Sequence, residues 1–582
     1  MSIIFGYCVA YRPTGWPWKI TWLNVTQVCR QWRTVALNAA SIWSRIDFTH
    51  PGLAREMIRR SKAAPLDVVV MHPILSPRVV DGLTDALSHV GRIRSLVVHS
   101  THLAPDSNTL FANLDKPAPL LHTLDITGRS NLTFPNNMFA GDAPQLRKLK
   151  INGFHFPWST SLLKNLTTLI LLEPHDEPLV SHCPQCPTTK QLLEALREMP
   201  GLSVLELINS LPLYTSEKPA APTSVVDLPK LTRLRLSGTL RNCDHLLQNI
   251  SFPASAAVHL TCKSFLLPPQ GDRHAIALFH TLSQIYSAST DSEQFFKWLS
   301  IETTFPPLSV KANTHEPKEP LLWQDTDGGS FVSTLHLQVD LYEFTGPMQA
   351  LFRSVVQALP LGQLETLNLG LSSDDNTCSA KDVVDLFGGL NKVKTILLKQ
   401  RDIYSFVEAL GPPTHNSDCG FDQTPTPSPS TPGGVKKPRM TLPALETIKL
   451  ADVDFGEDSS RVEALIELLA FRRTHGRRVD SLVLRDCIRI YEEGVRKLSN
   501  AVTVDWDGLE RSNSEDEDEE DEDEDEDDGY YDEDAYADGP DDLNYDYGYD
   551  VPFYFSPMYD VHDLEDMSAD WEDELVFGGA WH

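Results

Sequence analysis

Two histidines and two cysteines lie close together in the sequence, and side chains of these types can hold a metal ion. They are His175, His182, Cys183 and Cys186, and the two cysteines form a CxxC pair. Zinc takes four such ligands, and CxxC is one half of a common zinc knuckle. Prolines surround this cluster, however, and its spacing matches no standard finger, so a plain surface insertion explains the segment as well. We therefore predict no metal and no other cofactor.

Motifs that carry enzyme chemistry are missing from the sequence. It contains no phosphate-binding loop, no dinucleotide glycine fingerprint, no G-x-S-x-G elbow and no HExxH helix. Acidic residues are abundant, but without a fold no pair of them is identified as general acid and base. The sequence therefore predicts a protein that is not an enzyme.

A candidate binding segment lies near the C-terminus. Leu564, Met567, Trp571 and Leu575 recur at helical spacing in an otherwise acidic stretch. Segments of this kind fold on binding to an apolar groove with a basic rim. These residues are the predicted partner-binding positions of the tail, and the alternative is a solvated tail with incidental apolar residues.

The charge of the chain is concentrated at its C-terminal end. The 582 residues carry a formal net charge of −31, with 81 acidic and 50 basic side chains. Residues 512–582 hold 30 of the acidic and none of the basic ones, which leaves the rest nearly neutral. A neutral body excludes a globally basic nucleic-acid binder. Fourteen consecutive acidic residues, Glu515–Asp528, prevent packing, so we predict a disordered acidic tail over 506–582. Such a tail either folds back over basic patches of the repeats or attracts basic proteins.

Composition also indicates where the protein resides. No apolar run approaches the roughly 20 residues that a membrane helix needs, and the first residues do not resemble a signal peptide. Nine scattered cysteines do not form a disulfide framework. We expect a cytoplasmic or nuclear protein, or one present in both, without membrane contact.

A repeated pattern of apolar residues organises the body of the chain. Each copy reads apolar, two residues, apolar, one residue, apolar, and its L-x-L core is typical of a strand with both apolar side chains on one face. The copies are 93/96/98, 121/124/126, 146/149/151, 166/169/171, 202/205/207, 231/234/236, 332/335/337, 364/367/369, 393/396/398, 445/448/450 and 479/482/484.

Proline and helix signals separate these copies. Five copies follow a proline at one fixed offset, and helical patterns lie between strands at 189–199, 383–390 and 462–471. Proline ends a helix and permits a strand a few residues later. This order predicts a divergent leucine-rich-repeat solenoid over 71–505, whereas a generic βαβ sheet is the alternative.

Two stretches interrupt the pattern. Between residues 236 and 335 we predict a degenerate strand at 258–260 and a longer helix over 274–299. Residues 411–441 are rich in Pro, Ser, Thr and Gly, a composition that predicts a disordered insert.

The first 50 residues predict a separate, all-helical module, joined to the repeats by a connecting segment over 51–70. An amphipathic helix is predicted over 24–38, an apolar helix precedes it, and Ile42 and Trp43 form an apolar corner after it. So small a unit needs a partner surface for stability.

A family resemblance rests on this module. The run V-T-Q-V-C-R-Q-W-R-T-V-A at 25–36, followed by I-W-S-R-I at 42–46, resembles the F-box of fungal, basidiomycete-type F-box proteins. Residues 60–68 resemble the R-S-x-x-x-P-L-x-V segment that leads into the repeats of that group, although the family's opening Leu-Pro element is absent. The resemblance implies docking on the Skp-type adaptor of a cullin–RING ubiquitin ligase. The adaptor-binding residues that we expect are Ile4, Phe5, Val25, Val28, Cys29, Trp32, Ile42 and Trp43.

Together these features predict an α/β protein: a short all-helical F-box-like module, a divergent leucine-rich-repeat solenoid and a disordered acidic tail. The resemblance implies the substrate-recognition adaptor of an SCF-type ligase, whose repeats bind an unidentified protein substrate. The alternatives are a ligase-independent interaction scaffold with a degraded F-box, and a binder of basic proteins that acts through the tail. We expect no direct nucleic-acid binding.

Overall fold

The computed structural model describes most of the chain before residue 512. The described residues are 21–48, 51–72, 75–100, 114–128, 134–172, 187–212, 225–263, 270–287, 295–303, 308–315, 334–339, 348–370, 379–399, 403–412, 440–456 and 460–511. The chain divides into two compact units, Met1–Asn513 and Ser514–His582, and every described residue belongs to the first.

Strands dominate the described residues, and most of them coincide with the repeated apolar pattern. They are β1 Arg45–Asp47, β2 Leu66–Met71, β3 Ile93–His99, β4 Thr123–Thr127, β5 Lys148–Asn152, β6 Thr168–Leu172, β7 Val204–Ile208, β8 Val226–Asp227, β9 Arg233–Thr239, β10 Ile250–Ser251, β11 Ala257–Lys263, β12 Trp298–Thr303, β13 Leu308–Asn313, β14 Thr334–Val339, β15 Thr366–Gly370, β16 Thr395–Lys399, β17 Thr447–Ala451, β18 Ser481–Arg485 and β19 Thr503–Trp506.

All of these strands except β8 and β10 join one sheet, which has 17 strands within the described part of the chain. Its pairings run from β1 through β7 to β9, β11, β14, β13, β12 and then β15 to β19. Every pairing is parallel except the two that β13 makes, and the L-x-L positions of successive copies stand opposite one another. The predicted repeat of strands is therefore confirmed, in the form of a long, mainly parallel, leucine-rich-repeat-like sheet.

Helices connect many of the strands. They are α1 Arg30–Asn38, α2 Pro51–Arg60, α3 Pro77–Ser88, α4 Thr189–Arg197, α5 Leu240–Asn249, α6 Gln270–Ser287, α7 Met348–Ala358, α8 Ala380–Phe387, α9 Tyr404–Leu410, α10 Ser460–Thr474 and α11 Glu492–Ser499. Their apolar side chains and the strand leucines share one continuous buried core. Where no helix forms, a short 3₁₀ segment such as Ser161–Leu163 makes the connection. The predicted helices at 189–199, 383–390 and 462–471 correspond to α4, α8 and α10.

The recurring prolines begin a tight turn before their strands. Pro119 is the second residue of a turn that the backbone N–H of Leu121 closes on the carbonyl of Ala118, at 3.1 Å. The same bond recurs after Pro144, Pro200, Pro229 and Pro443. Proline suits this turn position because its φ is already set, and it needs no N–H there. The leucine that closes each turn is buried, so the turn anchors the strand four residues after the proline.

The region between residues 236 and 335 departs from the prediction. The degenerate strand at 258–260 is present as β11, but the helix predicted over 274–299 ends at Ser287. Trp298 then begins β12, which forms an antiparallel pair with β13. In the sheet this pair lies between β14 and β15, so the spatial order is β11, β14, β13, β12, β15. After β11 the chain therefore first adds β12, three positions away, and then fills the gap with β13 and β14. Apolar residues at 296, 298, 299 and 301 fit either element, because a short apolar run does not distinguish a buried strand from a helix.

The amino-terminal segment is also different from the all-helical module that the sequence predicts. The helix predicted over 24–38 is divided into a 3₁₀ turn, Thr21–Thr26, and α1. The backbone of Cys29 is extended, and its sulfur accepts a hydrogen bond from the N–H of Trp32 at 3.5 Å, which makes it the N-cap of α1. β1 then follows within the first 50 residues and pairs in parallel with β2. The module is therefore not entirely helical, because its last residues extend the sheet of the repeats.

The helices of the described residues offer no membrane-crossing segment, since none of them is both long enough and apolar enough. Most of the insert predicted at 411–441 lies outside the described residues, as does the acidic tail from residue 512 onward.

Candidate functional site

The described part of the amino-terminal segment exposes two of the residues expected to dock on a partner and leaves a third half-buried. Val28 is 61% exposed, and Cys29 beside it is also exposed. Trp32 lies one turn further along α1 and is half-buried against the core. Arg30 and Arg33 are exposed in the same turns of helix. Val28 and Cys29 thus offer a small exposed apolar surface, next to which Arg30 and Arg33 place positive charge.

Three other predicted docking residues are buried within the protein. Val25, Ile42 and Trp43 all belong to the continuous core. Trp43 donates a hydrogen bond from its indole Nε1 to the carbonyl of Ala36 at 2.8 Å, and the Arg60 guanidinium stacks over its ring at 5.1 Å. Through these contacts Trp43 joins α1 to α2.

Several candidates from the sequence lie outside the described residues. These are Ile4 and Phe5 of the predicted docking set, the tail positions Leu564, Met567, Trp571 and Leu575, and the possible zinc ligands His175, His182, Cys183 and Cys186. Within the described ranges, no group of three or more His, Cys, Asp or Glu side chains is arranged to hold a metal ion.

A second candidate surface lies on the sheet, at the positions that alternate with the core leucines. We call it the non-core face, and its central row is the residue between the two leucines of each copy. In the middle of the sheet the register brings polar residues of neighbouring strands side by side along this row. They are Glu206 of β7, Arg235 of β9, His259 of β11, His336 of β14, Lys311 of β13 and Ser300 of β12. Adjacent strands are about 4.8 Å apart, so these side chains are direct neighbours.

Glu206 is the anionic end of this row. It is buried, and its two carboxylate oxygens face Arg233 Nε at 3.4 Å and Arg235 Nη1 at 3.9 Å. Both arginines are on β9, two residues apart, so they project to the same side. A buried carboxylate is tolerated here because two guanidinium groups compensate its charge.

The two histidines form a stacked pair at the centre of the row. The rings of His259 and His336 lie 4.4 Å apart between centroids and are tilted by 24°. Burial lowers the pKa of His259 to about 2, and the neighbouring His336, Arg235 and Lys311 lower it further in the same direction. Burial also lowers the pKa of His336 to about 4, with Lys311 and Arg235 contributing and Glu302 opposing. Both imidazoles are therefore neutral at pH 7, and two cations flank them.

Sequence reasoning did not find this polar row. His259 was part of a degenerate copy, and Lys311 belongs to the β12–β13 hairpin, which the apolar pattern did not predict. A signal exists in retrospect, since β11 and β14 carry histidine at the same position of the repeat. The side-by-side placement of the two strands depends on the hairpin lying beyond β14 rather than between them.

Comparison with known proteins yields little. No family model matches this sequence, and no curated protein is similar to it. Among solved structures, a leucine-rich-repeat protein of Leptospira interrogans has 13% sequence identity over 77% of this chain and 91% of that chain, with a TM-score of 0.29. A likeness at this level says nothing about what this chain binds.

Proposed function

We propose that this protein is a protein-interaction scaffold that binds a protein partner on the non-core face of its sheet. The observation that carries this proposal is the polar row at the centre of the sheet, where charged and hydrogen-bonding side chains of six neighbouring strands share one face. Repeat sheets of this kind offer extended surfaces that suit polypeptides rather than small molecules.

We further propose that the amino-terminal segment docks this scaffold on a Skp-type adaptor of a cullin–RING ubiquitin ligase. The sequence resemblance to an F-box supports this, and so does the exposure of Val28 and Cys29 just before α1. The scaffold then raises the effective concentration of the ubiquitin-transfer machinery at a bound substrate. Catalysis would occur in partner subunits, which agrees with the missing enzyme motifs, and the expected compartment remains cytoplasm or nucleus.

The test of docking is the substitution of Val28 by Asp. Because the side chain of Val28 is mostly exposed, a carboxylate there leaves the fold intact but opposes an apolar contact. We expect recovery of a Skp-type adaptor in co-purification to fall at least about tenfold, which corresponds to about 1.4 kcal/mol.

Thr34→Asp is the matched control, since Thr34 is exposed on the opposite side of α1 from Trp32. It should leave recovery unchanged. Equal recovery of the adaptor with wild type and Val28→Asp, or no recovery with either, contradicts the ligase proposal and leaves the scaffold proposal standing.

A ligase-independent scaffold is the second candidate, and one observation favours it. Ile42, Trp43, Ile46 and Phe48 are buried, and β1 extends the sheet beyond β2. Repeat arrays need such a terminal cap to cover the apolar end of the core. In this version the amino-terminal segment has a purely structural role, so Trp43→Ala lowers the stability of the scaffold while Val28→Asp changes no interaction.

A further inference from the structure

The polar row is more than a mixed set of charges, because its accessible members are nearly all hydrogen-bond donors or cations. Arg235, His336 and Lys311 are half-buried rather than fully enclosed. The row beside them continues with Thr261, Gln338 and Ser309, which are also half-buried. Guanidinium, ammonium, imidazole, amide and hydroxyl groups thus converge on one part of the non-core face.

Register places the three central groups along one row of the same face, on strands β9, β14 and β13. His336 stands directly opposite Lys311 in the antiparallel pair of β14 with β13, and the Cβ atoms of such pairs are about 5 Å apart. On the other side, β11 separates β14 from β9, so Arg235 lies two strands from His336. The charges of Lys311 and Arg235 both contribute to lowering the pKa of His336.

Charge decides which kind of ligand fits. The charged side chains described around the histidine pair are three cations, Arg233, Arg235 and Lys311, and two carboxylates, Glu206 and Glu302. Because both histidines are neutral at pH 7, one positive charge is left over. At pH 7, with His336 neutral, one carboxylate neutralises this excess, whereas a phosphoryl group, with a charge of about −1.5 to −2, reverses it.

We propose that Arg235, His336 and Lys311 form a site that binds the carboxylate side chain of an acidic polypeptide. This rests on the proposed scaffold function and names the chemistry of the partner. Lys311 and Arg235 supply charge-assisted hydrogen bonds to the carboxylate oxygens, and His336 donates from its ring when it is protonated. Thr261, Gln338 and Ser309 bind polar groups of the same peptide.

Proton uptake follows from this arrangement. A bound carboxylate favours the charged form of His336 and raises its pKa from about 4. Binding therefore takes up protons, and affinity rises as the pH falls from 7 towards 5. The other titratable groups that face His336 are His259, Lys311, Arg235 and Glu302.

The experiment measures fluorescence anisotropy of a labelled octaglutamate peptide with the full chain, with octaglutamine as the neutral probe. We expect octaglutamate to bind, octaglutamine not to bind, and Lys311→Met to weaken octaglutamate binding about tenfold. Lys311→Arg, which keeps the charge, should retain binding and so exclude misfolding as the cause. His336→Gln should remove the rise in affinity between pH 7 and pH 5.

Lys449→Met is the matched control, because Lys449 occupies the same central row on β17, away from the histidine pair. Loss of affinity in this variant equal to that of Lys311→Met would show unspecific attraction and overturn the proposal. The same holds if Lys311→Met binds like wild type. If a phosphoserine octapeptide binds more than about tenfold tighter than octaglutamate, the ligand is a phosphoryl group and the carboxylate assignment is wrong.

This test is separable from the test of the docking surface. Val28→Asp lies in the turn before α1 and should not change peptide affinity, and Lys311→Met should not change adaptor recovery. Peptide binding without adaptor recovery overturns the ligase proposal alone, and adaptor recovery without peptide binding overturns the carboxylate site alone.

Discussion

Arg472 shows how one buried cation organises the backbone around it. Its side chain is fully buried, and its guanidinium donates to the carbonyls of Thr441 and Leu442 at 3.0 and 2.7 Å. Burial lowers its pKa to about 10, so the group stays charged at neutral pH. Leu442 has a φ of 48°, a backbone conformation that residues other than glycine and asparagine rarely adopt. Arg472 of α10 therefore holds the strained turn that leads into β17.

Arg472→Met tests this role. The substitution leaves two buried carbonyl groups without their donors, and we expect the free energy of unfolding to fall by about 2 kcal/mol. Urea denaturation followed by circular dichroism measures the change. Arg473→Met is the control, because Arg473 is the next residue and is exposed, and its effect should stay within about 0.5 kcal/mol. Equal effects of the two substitutions would contradict the role.

Two of the helices between strands, α4 and α8, begin with a reciprocal side-chain cap. At Ser379, which precedes α8, the hydroxyl accepts from the backbone N–H of Asp382 at 3.2 Å, and the Asp382 carboxylate accepts from the N–H of Ser379 at 3.0 Å. Thr188 and Gln191 form the same reciprocal pair at α4. Such boxes satisfy two backbone donors that the first turn of a helix leaves open.

Ser379→Ala is expected to lower the free energy of unfolding by about 1 kcal/mol, because the cap of α8 loses its acceptor. Ser76 precedes α3 in the same position but makes no side-chain capping bond, so Ser76→Ala is the matched control with little expected effect. Thermal and urea denaturation of the two variants measure the difference. A loss for Ser76→Ala as large as that for Ser379→Ala would show that the capping bond is not the cause.

Elements were predictable from the sequence where a local rule acts alone. Leu124 and Ile126 alternate with polar residues, which predicts a strand, and the turn at Pro119 depends only on its own backbone. The sequence therefore predicted both β4 and the place where it starts. The hairpin β12–β13 was missed, since its apolar residues suit a helix equally well until a neighbouring strand supplies hydrogen bonds. β1 was missed for a similar reason, because its three residues become a strand only through pairing with β2.

At the scale of the whole sheet, the described repeats form a row of strands in which each repeat contacts its neighbours. Among the strands that the structure describes, β4 pairs with β3 and β5, and β18 pairs with β17 and β19. Stability in such an array is close to a sum of local terms, so a defect weakens its own repeat and the adjacent ones. The hairpin β12–β13 lies in the middle of the array, between the copies up to β14 and those from β15 onward.

Leu124→Ala tests this locality. Leu124 is fully buried in β4, and truncation of such a leucine costs about 2–5 kcal/mol. We expect amide hydrogen exchange to accelerate in β3, β4 and β5 and to stay at the wild-type rate in β16 to β18. Leu482→Ala, in the equally buried position of β18, should give the converse pattern. Uniform loss of protection along the whole sheet in either variant would show that the array unfolds as one cooperative unit.

The sequence by itself determined which residues form the leucine-rich strands, where the proline turns start them and where the negative charge collects. These features depend on side-chain period and backbone geometry within a few residues. Only the tertiary structure decided which strands are neighbours and therefore which side chains meet on the non-core face. Lys311 and His336 are 25 positions apart in the numbering, and their contact exists because the hairpin inserts beside β14. Long-range pairing of this kind is set by the burial of a whole sheet, and no local pattern records it.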